Sequence, residues 1–275
     1  MSAAVGTPQD RPRIAIGRVT QLHVIRSEWT KLWSLRSTRW SLLVAVVGMA
    51  GLGIVIAAVQ MAHWNSMSPN DRRTFNPVDV STAGFHFAQL ALGVLGVLVI
   101  SGEYSTGMIR SSFAAVPKRL PVLWAKLLTF GTTALMLMLP SALLAFFVAQ
   151  AILRQHHVQT TFGSPHVARA VIGSALFLTV VGLLGVAIGA LVRNTAGGIA
   201  TLAGVLFVLP GIAAILPNSW GDTINPYLPN SAGEAITAIH SDPHTLSAWN
   251  GFALFCAYTA VATIVAAVLL VRRDA

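Results

Sequence analysis

The chain has 275 residues, of which 55% are hydrophobic and only 10% charged, with a formal net charge of +9 and a mean hydropathy of +0.69. Soluble domains carry about 25% charged residues, so this composition excludes an ordinary soluble protein and points to a polytopic membrane protein. The single cysteine, Cys256, excludes an intrachain disulfide and a paired-thiol redox motif.

Residues 1–17 contain two prolines and two glycines and have no hydrophobic period, which predicts a flexible arm. No short basic region with a cleavage site is visible there, so the first apolar run is expected to stay in the protein. From Arg18 to about residue 38, Val19, Leu22, Ile25, Trp29, Leu32 and Trp33 recur at spacings of three and four. Arg18, Arg26, Lys31 and Arg36 fall mostly on the other faces. This pattern predicts an amphipathic helix lying in the membrane interface, with Trp29, Trp33 and Trp40 at headgroup depth.

Six apolar windows follow, each long enough for about 30 Å of hydrocarbon. They are placed at about 41–62, 83–101, 123–151, 167–192, 197–216 and 249–271. The first is rich in glycine. The second carries His86 and Gln89 three residues apart on one face; an ionisable group in a span is a candidate for a transport pathway, while a histidine one turn from the boundary also suits the interface. The third contains Pro140, which predicts a kink. In the fourth, Gly185 and Gly189 form a GxxxG spacing that suits close helix packing. The fifth contains Pro210 and ends at Pro217. Residues 217–249 hold a short helix signal, with Asn230 or Ser231 as its cap and Glu234 in its first turn.

The stretch from Ser101 to Lys126 is polar and basic and cannot sit in hydrocarbon. A turn at GEYSTG leads into a short helical run from Met108 to Val116, and Pro117-Lys118-Arg119 ends it. Of the 18 Lys and Arg, 14 fall in the N-terminal region, this loop, the turn at Arg193 and the tail, against Arg72, Arg73, Arg154 and Arg169 on the other side. The positive-inside bias therefore predicts cytosolic termini. The same distribution assigns the basic charge to topology and lipid contact, with no nucleic acid partner. His156, His157 and His166 share one loop, and His240 and His244 another. The first group has no flanking carboxylate or cysteine and the second has no obvious third ligand, so no metal is expected.

No GxxxxGK[ST], HExxH or GxSxG occurs, and the spans lack internal carboxylates. An enzyme is not expected, and work on a substrate would need an external source. Three segments, VIRSEWTKLWSLRSTRW, GEYSTGMIRSSFAAVPKRLPVLWAK and YLPNSAGEAI, together resemble the permease subunits of ABC-2-type transporters, especially the six-span permeases of high-GC Gram-positive bacteria. The resemblance covers nearly the whole chain and implies an all-α fold over 18–275. Its parts would be an elbow helix with Glu28, Trp29 and Lys31, and a coupling loop with Glu103, Tyr104, Gly107, Arg110, Lys118 and Arg119. An external re-entrant segment would contain Tyr227, Pro229, Gly233 and Glu234.

The resemblance also implies an exporter in the bacterial cytoplasmic membrane, working as a homodimer or heterodimer with two copies of an ABC ATPase. ATP and Mg would sit on that partner, with no cofactor on this chain. Glu103 and Arg110 are then expected to act through contact with the ATPase and not through folding. A non-transporting immunity or anchor subunit that sequesters a peptide or drug is the other class the pattern fits.

Overall fold

The computed structural model describes residues 20–116, 118–215, 218–239 and 245–272, excepting the side chains of residues 115, 218 and 219. The arm at 1–17, Arg18, Val19, Pro117, Pro217, His240, His244 and Arg273 lie outside the described residues. Among those described, every regular element is helical. Six helices are long and apolar enough to cross a membrane, which is the architecture of a multi-pass membrane protein.

The first helix, α1 (Gln21–Ser34), stops earlier than the sequence pattern suggests. Leu35 is extended (φ −76°, ψ 119°), so the chain turns there and α2 (Arg36–Ala62) begins. Two short helices, α3 (Pro69–Arg73) and α4 (Pro77–Ser81), follow; Ser68 and Asn76 cap them by accepting from Asp71 and Val78 backbone N–H groups. Next come α5 (Phe85–Ser105), α6 (Met108–Ala115) and α7 (Leu120–Leu153), the last extended by a 3₁₀ turn at Arg154–His156. The helix α7 continues through Pro140, and Pro140 is exposed on its outer side.

The helix α8 (Val167–Val192) is central: 67% of its most apolar window is buried, the largest share of the six. After the Arg193-Asn194 turn, the fifth crossing is composite. It consists of α9 (Thr195–Ala203), a π-helical turn at Gly204–Val208 and α10 (Leu209–Ile215). The wide turn immediately precedes Pro210, whose missing N–H and ring would strain a regular α-helix. Only 22% of this crossing's apolar window is buried. The chain then forms α11 (Asn218–Ile224), α12 (Pro229–Glu234) and the last long helix, α13 (Ala248–Arg272). Asn230 and Ser231 do not cap α12 as expected. Pro229 occupies its first turn, Leu228 precedes it, and Glu234 is its last residue.

Close approach of α5 to α8 forms the centre of the bundle. A Cβ on Gly96 would overlap the Gly182 carbonyl, and one on Gly185 would overlap the Gly93 carbonyl. Gly189 packs against Val97 in the same seam, so the GxxxG of α8 is a packing surface for α5. Near one end, Phe85, Phe177 and Phe255 stack with ring centroids 5.0 and 5.1 Å apart, joining α5, α8 and α13.

Gly185→Val is expected to lower stability by about 1–3 kcal/mol, as overpacking does, seen as a lower melting temperature in detergent. Gly51→Ala is the control, because its added Cβ meets only Val47 at 3.8 Å; it should be neutral or stabilising. Equal melting of the two variants would contradict the packing assignment.

Candidate functional site

Four charged side chains meet between α1, α5 and α7. Lys126 is 2% exposed, Glu28 4% and Glu103 5%. The Lys126 ammonium donates to Glu28 Oε2 at 2.6 Å and to Glu103 Oε1 at 2.9 Å. Lys31 completes the ring by donating to Glu28 Oε1 at 2.6 Å and Glu103 Oε1 at 3.2 Å. Its third bond goes to Ser112 Oγ of α6 at 3.0 Å. One ionic cluster therefore ties together the helix before the first span, the end of the second, the start of the third and the short helix between them.

Local sequence explains the placement. On α1 the buried face is Val24, Glu28 and Leu32, spaced by one helical turn, so Glu28 occupies a position where an apolar residue would otherwise sit. Of the expected apolar stripe, Leu32 joins this buried face and Ile25 packs partly against the core, whereas Leu22, Trp29 and Trp33 are exposed. Trp29 and Trp33 pack on each other at 6.0 Å. Gln21 fastens the start of α1 by donating to the Pro121 carbonyl. Between α5 and α6, Gly107 adopts φ +73°, a left-handed conformation that glycine tolerates without strain. That turn folds α6 back so that Ile109 and Phe113 are buried while Met108, Arg110 and Ser111 are exposed.

The expectation that Glu103 lies on the loop surface is therefore corrected. Glu103 is a buried partner of two lysines in its own chain, and its removal is predicted to lower stability. Arg110 and Lys118, by contrast, are exposed. Arg119 sits over the Phe113 ring at 5.5 Å and donates to the Leu270 carbonyl at 3.1 Å. Arg193 sits over the Tyr104 ring at 5.2 Å and donates to the Leu269 carbonyl at 3.4 Å. Both carbonyls belong to the last turn of α13, where helix oxygens lack intrahelical partners and cations are favoured. The Tyr104 hydroxyl is buried without a hydrogen-bond partner among the described residues.

A second polar group forms at the opposite end of the bundle. Gln89, fully buried, donates to Asn230 Oδ1, and Asn230 donates to Glu234 Oε1 at 2.9 Å. His86 Nδ1 lies 3.7 Å from the same carboxylate oxygen. The expected pathway residues His86 and Gln89 are thus brought together with Glu234 of the segment before α13, whereas Pro140 is not part of the group. Gly233 packs where a Cβ would overlap the Phe177 ring, and Pro229 starts α12. Tyr227 is exposed at its ring, and its carbonyl accepts from Tyr258 at 2.9 Å. Gln150 holds the far end of α7 by donating to Pro77 O and Ser81 Oγ while accepting from the Thr160 N–H. Burial pushes the Glu234 carboxyl above the usual range, against the opposing pull of His86 and Asn230.

Sequence reasoning missed Lys126 as a partner, treating it as one of several loop cations. The available signal was Glu28 in the apolar face of α1, which demands a buried cation. Compared with known protein families and with curated proteins, the chain matches no family model and no curated sequence.

Burial opposes ionisation of Glu28, but Lys126 and Lys31 outweigh it and hold its pKa below the ordinary value. Burial likewise opposes the Lys31 charge, yet Glu28 and Glu103 raise its pKa above the ordinary value. The Glu28 contribution to stability is therefore present above about pH 4.3 and lost as pH falls through its lowered pKa. The Lys31 contribution is present below about pH 10.4 and lost as pH rises through its raised pKa. The cluster's contribution, read as the melting-temperature difference between the unaltered protein and a cluster variant, should be constant between these limits and fall outside them. Lys126→Met should cost about 3–5 kcal/mol because it leaves two buried carboxylates to share the single Lys31 cation, and adding Glu28→Gln should recover part of that loss. Simple additivity of the two substitutions would contradict a shared cluster.

Proposed function

We propose that the chain is the membrane-spanning permease subunit of an ABC-2-type transporter, an exporter of the bacterial cytoplasmic membrane driven by a separate ATPase. The observation that carries this is the buried ionic cluster: it fastens α1, α6 and the adjoining ends of α5 and α7 into one block, with the outer face of α6 left exposed. In this assignment α1 is the elbow helix and α6 the coupling helix, both cytosolic. Six apolar helices, the left-handed Gly107 turn and the exposed Arg110 support it.

The mechanism follows from the connections. Closure of two ATPase subunits, each bearing ATP and Mg, would press on Met108, Arg110 and Ser111. The buried Ile109 and Phe113 would pass the displacement to the bundle, and Lys31 would pass it to α1 through Ser112. Arg119 and Arg193 would carry it to the end of α13. At its other end α13 packs on α12, where a Cβ on Gly251 would overlap the Ala232 carbonyl. A rigid α13 therefore links the coupling helix to the external segment, in the manner of shear motions of packed helices. A second permease copy or a related chain would complete the pathway.

The tagged chain purified from its native membrane is expected to bring down a P-loop ATPase. Arg110→Glu should leave the chain normally abundant and reduce ATPase recovery by about tenfold or more, as loss of an interfacial charge contact does. Arg272→Ala, at the tail, should leave recovery unchanged. Full ATPase recovery with Arg110→Glu, or no ATPase with the unaltered chain, would overturn the proposal.

A further inference from the structure

A cleft of about 330 Å³ opens where the α1–α2 corner meets the end of α5. Leu35, Ser37, Thr38 and Ser41 line it from the start of α2, while Leu95 and Leu98 of α5 form an apolar wall and the ionic cluster lies at its base. That cluster pairs two lysines with two glutamates and is neutral, so the selection of a ligand falls to the start of α2.

The helix α2 begins after Leu35 without a side-chain cap, and its first turn holds no acidic residue. The N–H groups of Arg36, Ser37 and Thr38 meet no acceptor among the described residues, as the first amides of an uncapped helix do. Thr38 is a second and separate sign. It is 5% exposed, its hydroxyl has no partner among the described residues, and that oxygen is open to the cleft, unlike the sealed Glu103 Oε2. Within the spans a hydroxyl ordinarily bonds back to a carbonyl one turn earlier, as those of Thr129, Thr179 and Thr263 do.

Hydroxyls donate or accept, so they do not choose the sign of a ligand. Amides and guanidinium groups only donate. Arg36 and Arg39 stand exposed on the first turn of α2 and have no carboxylate partner among the described residues. A helix start with free amides and uncompensated cations is suited to a phosphate. Its depth names the source. Because α2 is one of the six crossing helices, its first turn stands among lipid headgroups, with Trp33, Leu35 and Trp40 exposed around it.

We infer that the start of α2 binds the phosphate of an anionic phospholipid in the leaflet on the α6 side. The amides of residues 36–38 and the Thr38 hydroxyl donate to phosphate oxygens, and an acyl chain leaves along Leu95 and Leu98. Arg36 and Arg39 set the preference for a headgroup of net negative charge, roughly fivefold for each arginine. The inference rests on the six-helix fold and not on the ATPase assignment, so either can fail alone.

The full chain is placed in phosphatidylcholine nanodiscs with a trace of phosphatidylglycerol bearing a diazirine on its acyl chain, and labelled peptides are mapped. Saturable labelling of α2 or α5 beside the cleft is expected. Unlabelled phosphatidylglycerol should displace it, and phosphatidylethanolamine should compete at least ~10-fold less well. Leu35→Asp gives α2 its own cap, whose carboxylate takes the same amides. That variant should keep or raise the melting temperature while abolishing saturable labelling. Thr38→Val, which removes the hydroxyl and keeps the shape, should weaken labelling. Arg36→Gln combined with Arg39→Gln should erase the preference over phosphatidylethanolamine, whereas Arg272→Ala, on the last turn of α13, should change nothing. Undiminished labelling of Leu35→Asp, equal competition by phosphatidylethanolamine, or an equal loss in Arg272→Ala overturns the inference. Competition by glycerol 3-phosphate as strong as by the lipid also overturns it, since the site would then take soluble phosphates.

Discussion

Removing two ammoniums and two carboxylates from water costs several kcal/mol per ion, and only mutual pairing at short distance offsets it. Glu28, Lys31, Glu103 and Lys126 cannot be buried singly, so the helices that bear them must arrive together. This constraint positions α1 against α7, fixes the end of α5 beside them and draws α6 in through Ser112. Hydrophobic burial alone would not select that arrangement, because in a bilayer lipid chains compete equally well for an apolar helix face. The ions choose which helices meet, and the glycine seam between α5 and α8 sets how closely the bundle packs.

The opposite end is held by neutral and weakly charged groups. Gln89, Asn230 and Glu234 form a directed chain of hydrogen bonds from α5 to α12, with His86 beside the carboxylate. Such a chain exchanges partners at lower cost than a four-ion cluster. The two ends are therefore unequal in rigidity: the end bearing α6 is locked by ions, and the end bearing α12 is fastened by hydrogen bonds. In the proposed transport cycle the locked end receives force and the looser end rearranges, with α13 between them.

The six crossings were legible in the sequence because hydropathy over about 20 residues is a strong signal. Their ends shifted by a few residues where polar ends remain helical, as at Arg36 and Ser105. The polar loop, its turn at Gly107 and the short helix after it were also legible, since turn chemistry and charge are local. Pairing was not. Lys126 reads as one cation among four in its loop, and only the fold brings it within 2.6 Å of Glu28, 98 residues away. Glu103 looked exposed for the same reason, because a charge in a polar loop gives no local sign that it turns inward. The cap of α12 was misplaced because Pro229 at the first turn outweighed Asn230 and Ser231 as start signals. The link from Gln89 to Asn230, across 141 residues, has no sequence signature at all.

One ionic cluster makes α1 and α6 a single mechanical unit. Hydrogen exchange of the purified chain, compared between the unaltered protein and Lys126→Met, tests it most directly. The cluster predicts that amides of α1 and α6 lose protection together in Lys126→Met while those of α8 keep theirs. Loss confined to one of the two helices, or unchanged protection in both, would contradict it.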